Sequence, residues 1–438
     1  MISQGLAFEQ APPLSVPFRF FLTAPVFGML AGLLLLWQGP EALSFRWNSA
    51  ALALTHLVVL GFATMSMAGA LMQMLPVLAG APVSQPRITA WGVHLPLAAG
   101  ALLLPAGFLT GHRGTLVIAA VLLAAALGLL TLVLAWSLAR APVRSATVSG
   151  LRHATAGLAV AASLGVILAL RRAGIDPLPE VALTPLHVAW GLVGWILLLV
   201  VAVAYQVVPM FQLTPAYPGR LARWLPAVLL AGLMAWSWAV LRAHSVAPLL
   251  AAVPVIGGAV FAVVTLRIQA RRRRGRRDYT LLFWRLAMAC LIGACALWTV
   301  QSAFPGFLAA DAALPIGVLA LGGVAFSVVN GMLYKIVPFL AWFHLQALAG
   351  GRWKIPNMRE ALPESDMRLQ FAWHCAALAA LAAGVAWPGL LSRAAGAVLA
   401  VSSALLARNL ARTGRLYRKT RERIEALRRL ENPGGVRR

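Results

Sequence analysis

The stretch THLVVLGFATMSMAGALMQMLPVLAG, from Thr55 to Gly80, is apolar over the length of a membrane-spanning helix. It carries a histidine near its start, His56, and a glutamine near its end, Gln73, which Pro76 follows three residues later. Polar side chains at membrane depth usually face protein rather than lipid. The stretch therefore predicts a helix that lines the interior of a membrane protein.

The composition of the chain indicates its class. Of its 438 residues, 61% are hydrophobic and only 11% are charged, and the mean hydropathy is +0.82. A soluble domain of this size cannot bury so much apolar surface, so the composition predicts a polytopic membrane protein. The first residues lack a basic segment followed by an apolar core and a cleavage site, which predicts that no signal peptide is cleaved.

Apolar segments of membrane-spanning length recur along the whole sequence. Most contain the roughly 20 residues that a helix needs to cross a bilayer. We expect a single membrane domain at 1–414 and a basic cytoplasmic tail at 415–438. The predicted fold is all-α, with twelve transmembrane helices whose approximate cores are 17–38, 49–79, 88–109, 115–138, 149–170, 183–212, 222–242, 246–267, 280–304, 312–345, 369–387 and 390–411.

The net charge of +25 comes from basic residues that cluster in alternate loops. Loops after even-numbered helices are rich in arginine, as in the run RRRRGRR at 271–277, whereas loops after odd-numbered helices hold few basic residues. By the positive-inside rule, both termini then face the cytoplasm of a bacterial-type inner membrane. The charge indicates contact with the lipid bilayer and its anionic headgroups. It does not indicate a nucleic acid partner, because no basic domain with interleaved aromatic residues is present.

The motif that ends the opening stretch, QMLP at 73–76, recurs twice. The predicted sixth helix ends in QVVP at 206–209, and the predicted tenth helix ends in KIVP at 335–338. The interval from Pro76 to Pro209 is nearly equal to the interval from Pro209 to Pro338. Each interval contains four predicted helices, so the motif indicates an internal repeat of a four-helix unit.

An arginine in the first helix of each unit gives a second, independent marker of the repeat. Arg19, Arg152 and Arg285 follow one another at equal intervals. Parallel repeats related by an axis along the membrane normal are a known architecture of membrane proteins. The markers predict a pseudo-threefold bundle with repeats at about 17–148, 149–279 and 280–411.

Two histidines and several polar residues in the second helices of the repeats are candidates for a functional site. His56 lies twenty residues before Pro76 and His187 lies twenty-two residues before Pro209, which puts both in the outer half of the membrane. For each histidine, a structural role stays open beside a functional one. His56 would then be a buried histidine bonded to a backbone carbonyl, and His187 would be a side chain that reaches the membrane interface. The other candidates for a polar interior are Gln73, Gln206, Tyr205, Tyr334 and Lys335.

Twelve helices in three sets of four resemble subunit I of the haem-copper oxidases, and best the C-type oxidases and nitric oxide reductases. His56, with Phe62 and small residues behind it, resembles the second-helix histidine that ligates the low-spin haem. LHVAWGLVGWILLLVVAVAYQVVP at 186–209 and GVLALGGVAFSVVNGMLYKIVP at 317–338 resemble the sixth and tenth helices. PFRFF at 17–21 and the His56 helix also resemble the NnrS family, haem and copper membrane proteins linked to nitric oxide stress.

Several metal ligands of the oxidases are missing from this sequence. Counted back from the proline of KIVP, the two tenth-helix haem ligands fall on Ile316 and Val318, and the sixth-helix copper histidine falls on Ala189. The seventh helix reads LMAWSWAVL, without the adjacent pair of histidines that completes the copper site. The resemblance therefore implies one haem b, with His56 as axial ligand and His187 as second ligand or distal group, and no oxidase-type copper centre.

These features predict a membrane haem protein that acts in respiratory redox chemistry or in the chemistry of nitric oxide or dioxygen. Its partner, besides the lipid bilayer, would be a small gas ligand (nitric oxide or dioxygen) or a redox partner subunit. Enzymatic activity stays open, and an active enzyme would be an oxidoreductase of the haem-copper oxidase or nitric oxide reductase type. Two other hypotheses fit the same sequence: a cofactor-free transporter or permease, and a non-catalytic assembly subunit related to an oxidase.

Overall fold

The computed structural model describes residues 10–175, 183–273, 275, 278–304, 306–307 and 312–431. In this part of the chain, twelve helices are long and apolar enough to cross a membrane, which confirms the predicted number. The protein is therefore a multi-pass membrane protein. In chain order the helices are α1 Ser15–Leu43, α2 Ser49–Ala79, α3 Pro86–Thr110, α4 Arg113–Ala139, α5 Ala146–Arg172, α6 Leu183–Gln212, α7 Gly219–Leu241, α8 Ala247–Ala270, α9 Tyr279–Ala303, α10 Ala313–Ala349, α11 Glu364–Ala386 and α12 Pro388–Glu431.

Several helices extend beyond their predicted cores. α1 continues to Leu43 instead of ending at 38, and α12 continues past 411 to Glu431, through the stretch from Arg408 to Leu430 that the sequence also predicts to be helical. The first part of the predicted tail is thus one unbroken helix with the last membrane span. It is held in place because Ile424 packs against Leu345 and Ala349 at the end of α10. Residues 432–438, the end of the predicted tail, lie outside the described part of the chain.

Side chains that accept hydrogen bonds from the first helical turn fix several helix starts. Asn48 precedes α2, and its Oδ1 accepts from the Ala51 amide at 2.7 Å. Ser145 caps α5 in the same way, and Asp278 caps α9 by accepting from the Thr280 amide at 3.0 Å. Such caps satisfy amide groups that have no partner within the helix. α5 and α9 are the first helices of the second and third repeats, so both of these repeats begin with a capped helix.

The second helix of each repeat changes its winding at the same place. α2 is π-helical over Leu57–Thr64, α6 over Trp190–Leu197 and α10 over Val318–Ala325. The three segments begin at nearly the same distance before the proline of the repeated motif. Because π-helix is rare and is often found at functional sites, three segments at one equivalent position confirm the threefold repeat.

The second helices of the repeats meet inside the bundle. α2 and α6 are the most buried of the twelve membrane-spanning helices, and α10 is buried to the same extent as α1 and α9. Phe62 of α2 stacks on Phe326 of α10, with ring centroids 4.0 Å apart. The prediction that these helices line the interior is therefore confirmed for α2 and α6, whereas α10 shares that role with α1 and α9.

α1 and α12 contact each other through their backbones. A Cβ atom on Gly32 would lie 2.7 Å from the carbonyl oxygen of Gly396, and a Cβ atom on Gly396 would lie 2.7 Å from the carbonyl oxygen of Gly32. Small residues permit this close approach of membrane helices. Because α1 belongs to the first repeat and α12 to the third, the contact closes the bundle. After twelve crossings, α12 ends on the side of the membrane on which α1 begins.

Candidate functional site

His56 is the last residue of α2 before its π-helical segment. The ring is half-buried, and its Nδ1 lies 2.7 Å from the carbonyl oxygen of Leu52, one turn earlier. A carbonyl only accepts hydrogen bonds, so Nδ1 carries the proton and the lone pair of Nε2 is left available. In this tautomer and orientation, a neutral imidazole can ligate a metal through Nε2.

His187 lies three residues before the π-helical segment of α6 and is positioned by α5. Its Nδ1 lies 3.0 Å from the carbonyl oxygen of Ala161, so Nε2 is again the available nitrogen. A Cβ atom on Gly165 would come within 2.9 Å of Cε1 of His187. α5 therefore provides both the hydrogen-bond acceptor that holds the imidazole and the space in which it lies.

The two histidines come together between α2 and α6. Their ring centroids are 6.2 Å apart and their planes differ by 6°. Phe108 of α3 packs on the His56 ring at 5.3 Å. The pair thus consists of two parallel imidazoles, each held through Nδ1, and imidazole is a donor that haem iron accepts.

The positions of the missing oxidase ligands hold apolar side chains. Ile316 and Val318 are half-buried near the start of α10, and Ala189 directly precedes the π-helical segment of α6. Among the described residues, no group of three or more histidine, cysteine, aspartate or glutamate side chains is arranged to hold a metal ion. The absence of an oxidase-type copper centre stays a prediction.

Three of the other polar candidates lie in the helix halves away from the histidine pair. Gln73 follows His56 by seventeen residues in α2, which is about 25 Å along the helix axis. Its Oε1 is buried and has no hydrogen-bond partner among the described residues, and the same holds for the Tyr205 hydroxyl. Gln206 is half-buried in α6. These residues do not join the histidines in one site.

The remaining two candidates have partners that the sequence did not indicate. Tyr334 is buried, and its hydroxyl accepts a hydrogen bond from Asn409 Nδ2 of α12 at 2.9 Å. The Nζ atom of Lys335 lies 3.0 Å from Oδ2 of Asp278, which caps α9. These contacts connect α10 to α12 and to α9, so both side chains hold helices together on the side of the membrane where α1 begins.

His374, a fully buried histidine, was not among the predicted site residues. His374 of α11 is 2% exposed, and its Nε2 lies 2.7 Å from Oγ of Ser327 in α10. Its Nδ1 is buried and lacks a hydrogen-bond partner among the described residues. The signal in the sequence was a histidine inside the apolar segment of the eleventh helix. Because Ser327 occupies one ring nitrogen and belongs to another helix, this pair connects α10 to α11.

Three four-helix repeats, with their second helices inside the bundle, define the class of the protein as a polytopic membrane protein with internal threefold symmetry. The fold is similar to the cryo-EM structure of a haem-copper terminal oxidase dimer, with a TM-score of 0.61 and 13% sequence identity over 94% of this chain and 84% of that chain. No protein-family model and no curated protein sequence matches the chain. The similarity shows a haem-copper oxidase-like fold, and the resemblance to the NnrS family stays a prediction.

Proposed function

We propose that the protein is a membrane haem b protein of the haem-copper oxidase and NnrS type, acting in respiratory redox chemistry or in the chemistry of nitric oxide or dioxygen. The observation that carries the proposal is the parallel pair of His56 and His187. Each ring is held through Nδ1, and each has Nε2 left available for a metal. The oxidase-like fold supports the proposal, because His56 belongs to the second of the twelve helices, from which the resemblance to the oxidases implies a haem ligand.

Two histidines would hold the haem. His56 would bind the iron through Nε2, since the Leu52 carbonyl selects the neutral tautomer with its lone pair on that nitrogen. His187 would be a second ligand or a distal group beside a bound gas, and Gly165 leaves the room for its ring. Haem supplies one-electron chemistry and, where one axial position is open, a binding position for a small gas. Phe108 packs on His56 and limits the access of water to that ring.

The same proposal includes the location and partners of the protein. The arginine-rich loops after even-numbered helices support a bacterial-type inner membrane, with both termini in the cytoplasm and the histidine pair in the outer half of the bundle. A redox partner subunit would exchange electrons with the haem. An oxidase-type copper centre is not part of the proposal, because Ala189 and the α7 sequence lack its ligands.

The absorption spectrum of the protein tests this function. The full-length protein is expressed with ample haem and purified in detergent, and its Soret band and haem content are measured. We expect one haem b in the wild type. His56→Ala should abolish or strongly alter the Soret band. His187→Ala should alter it less, by changing the spin state or the access of a gas to the iron.

A matched control separates loss of a ligand from general damage. His153 is also half-buried, and its Nδ1 lies 2.7 Å from the Ser149 carbonyl one turn earlier, as in His56, but it is in α5 away from the pair. His153→Ala should leave the spectrum unchanged, and added imidazole should restore it in His56→Gly. A wild-type protein that is folded but colourless would contradict the proposal. It would favour a cofactor-free transporter or a non-catalytic assembly subunit.

A further inference from the structure

A cleft of about 600 Å³ opens beside the N-terminal end of α1, and we call it the basic cleft. Its walls come from α1, from the first turn of α3, from the end of α10 and from the part of α12 around Arg415. It therefore lies on the side of the membrane where α1 begins and α12 ends. Its position is far from the histidine pair, which adjoins the other ends of these helices.

Three of the four arginines that line the basic cleft have no carboxylate partner among the described residues. Arg415 and Arg418 stand three residues apart on α12 and so share one face of that helix, and Arg87 of α3 also lines the cleft. All three are at least partly exposed, and within the described ranges none of them forms an ion pair. The fourth arginine of the cleft, Arg421, differs because its Nε lies 2.7 Å from the carboxylate of Glu425.

The wall that α1 contributes to the basic cleft is apolar. Leu14 and Phe18 are buried, whereas Leu22 is 38% exposed, and all three line the cleft. From Leu14 to Leu22, α1 advances about 12 Å, which is less than half of the hydrocarbon thickness of a bilayer. A Cβ atom on Gly414 would meet no atom within 4 Å, so the α12 side of the cleft is open at this residue. The cleft therefore combines a charged rim with an apolar wall.

We propose that the basic cleft binds the headgroup and the upper acyl chains of one anionic phospholipid. Guanidinium groups donate paired hydrogen bonds to phosphate oxygens, and basic pockets between membrane helices suit anionic headgroups. His344 adds a polar group to the lining, since its Nε2 is buried without a hydrogen-bond partner among the described residues. The exposed side chain of Leu22 on the apolar wall favours a lipid over free phosphate, because free phosphate leaves this side chain uncovered.

The test measures lipid preference directly. Full-length protein is placed in phosphatidylcholine nanodiscs with a trace of spin-labelled phosphatidylglycerol or of spin-labelled phosphatidylcholine. The immobilised fraction gives the ratio of the two association constants, and we expect wild type to prefer phosphatidylglycerol. Arg415→Gln together with Arg418→Gln should lower this preference about thirtyfold, from about 1 kcal/mol for each arginine. Gly414→Leu should also lower it, without any change in charge, because the added side chain enters the open space of the cleft.

The control pair is Arg220→Gln with Arg223→Gln. These arginines are also exposed, three residues apart and on the side of the membrane where α1 begins, but they are at the start of α7. The control should keep the wild-type preference. An equal loss in the control pair, or no preference in wild type, would overturn the proposal. Displacement of the labelled lipid by inorganic phosphate would assign the arginines to free phosphate and overturn it as well.

Discussion

Trp195 donates a hydrogen bond from Nε1 to Oγ1 of Thr64 at 3.0 Å, and both residues lie in π-helical segments. Both side chains are almost fully buried. The bond connects the second helix of the first repeat to the second helix of the second repeat, which are the helices that carry His56 and His187. The packing around the candidate site therefore includes a polar contact deep within the membrane domain.

This hydrogen bond should have a measurable coupling energy. We expect Trp195→Phe and Thr64→Val each to destabilise the protein and the double variant to be more stable than the sum of the two losses predicts. Interhelical hydrogen bonds in membranes give coupling energies of about 0.6 kcal/mol on average and about 1.7 kcal/mol at most. A double-mutant cycle measured by reversible unfolding in SDS gives the value. If the losses in unfolding free energy of the two single variants add up to that of the double variant, the hydrogen bond contributes nothing to stability.

The contact between α5 and α6 should tolerate no added methyl group. A Cβ atom on Gly157 would collide with the carbonyl oxygen of Gly194, so Gly157→Ala forces two backbones apart. We expect a loss of about 1–3 kcal/mol, seen as a lower thermal midpoint in detergent. Gly128→Ala in α4 is the control, because its Cβ would meet nothing within 4 Å. The thermal midpoint of Gly128→Ala should equal or exceed that of the wild type. Equal losses of stability in Gly157→Ala and Gly128→Ala would contradict the close contact of Gly157 with Gly194.

The ion pair between Asp278 and Lys335 should make stability depend on acid pH. Burial tends to raise the pKa of the Asp278 carboxyl, but the Lys335 charge and the hydrogen bonds from Thr280 outweigh it and hold the pKa below its usual value. A carboxyl whose pKa is lower in the folded state stabilises the fold above the unfolded pKa of about 3.9, and this stabilisation is lost as the pH falls through the lowered pKa.

Asp278→Asn tests this dependence, since asparagine keeps the helix cap and removes the charge. The variant should be less stable than wild type by about 1 kcal/mol at neutral pH, and the difference should vanish at strongly acid pH. Glu425→Gln is the control, because the pair of Glu425 with Arg421 is more exposed to solvent. Glu425→Gln should therefore lower the stability at neutral pH by less than Asp278→Asn does. A difference between Asp278→Asn and wild type that does not change with pH would exclude the charge as its cause.

The proposed orientation of the chain predicts which loops are accessible from outside. Ser84 lies between α2 and α3, and Thr110 is the last residue of α3, so the two mark opposite sides of the membrane. In intact cells, a membrane-impermeant maleimide should label Thr110→Cys but should label Ser84→Cys only after permeabilisation. The unmodified protein gives the background from its three cysteines, which are buried or half-buried. Labelling of Ser84→Cys but not of Thr110→Cys in intact cells would contradict the proposed orientation.

The number of helices and the threefold repeat could be predicted from the sequence because both leave regular marks in it. A span needs roughly 20 apolar residues, and the motif ending at Pro76 recurs at Pro209 and Pro338 at nearly constant spacing. The π-helical segments could not be predicted in this way. They lie inside apolar runs, and one more apolar residue changes neither the composition nor the hydropathy of such a run.

The candidate site was predictable in its residues but not in its geometry. His56 and His187 stand out as lone histidines at similar depth, whereas the 6.2 Å separation of their rings depends on the lateral packing of two repeats. The same limit applies to the partners of Tyr334 and Lys335. Asn409 and Asp278 are distant in sequence from α10, so only the packing of helices brings them to it.

The three π-helical segments also bear on the origin of the repeat. Separate changes in each repeat would have had to alter the same turn three times, at Leu57–Thr64, Trp190–Leu197 and Val318–Ala325. One change in an ancestral four-helix unit, before that unit was copied twice and joined, accounts for all three. His56 and His187 adjoin these segments in only two of the copies, and at different offsets. The π-helical winding is therefore common to all three repeats, whereas the histidines distinguish the first two repeats from the third.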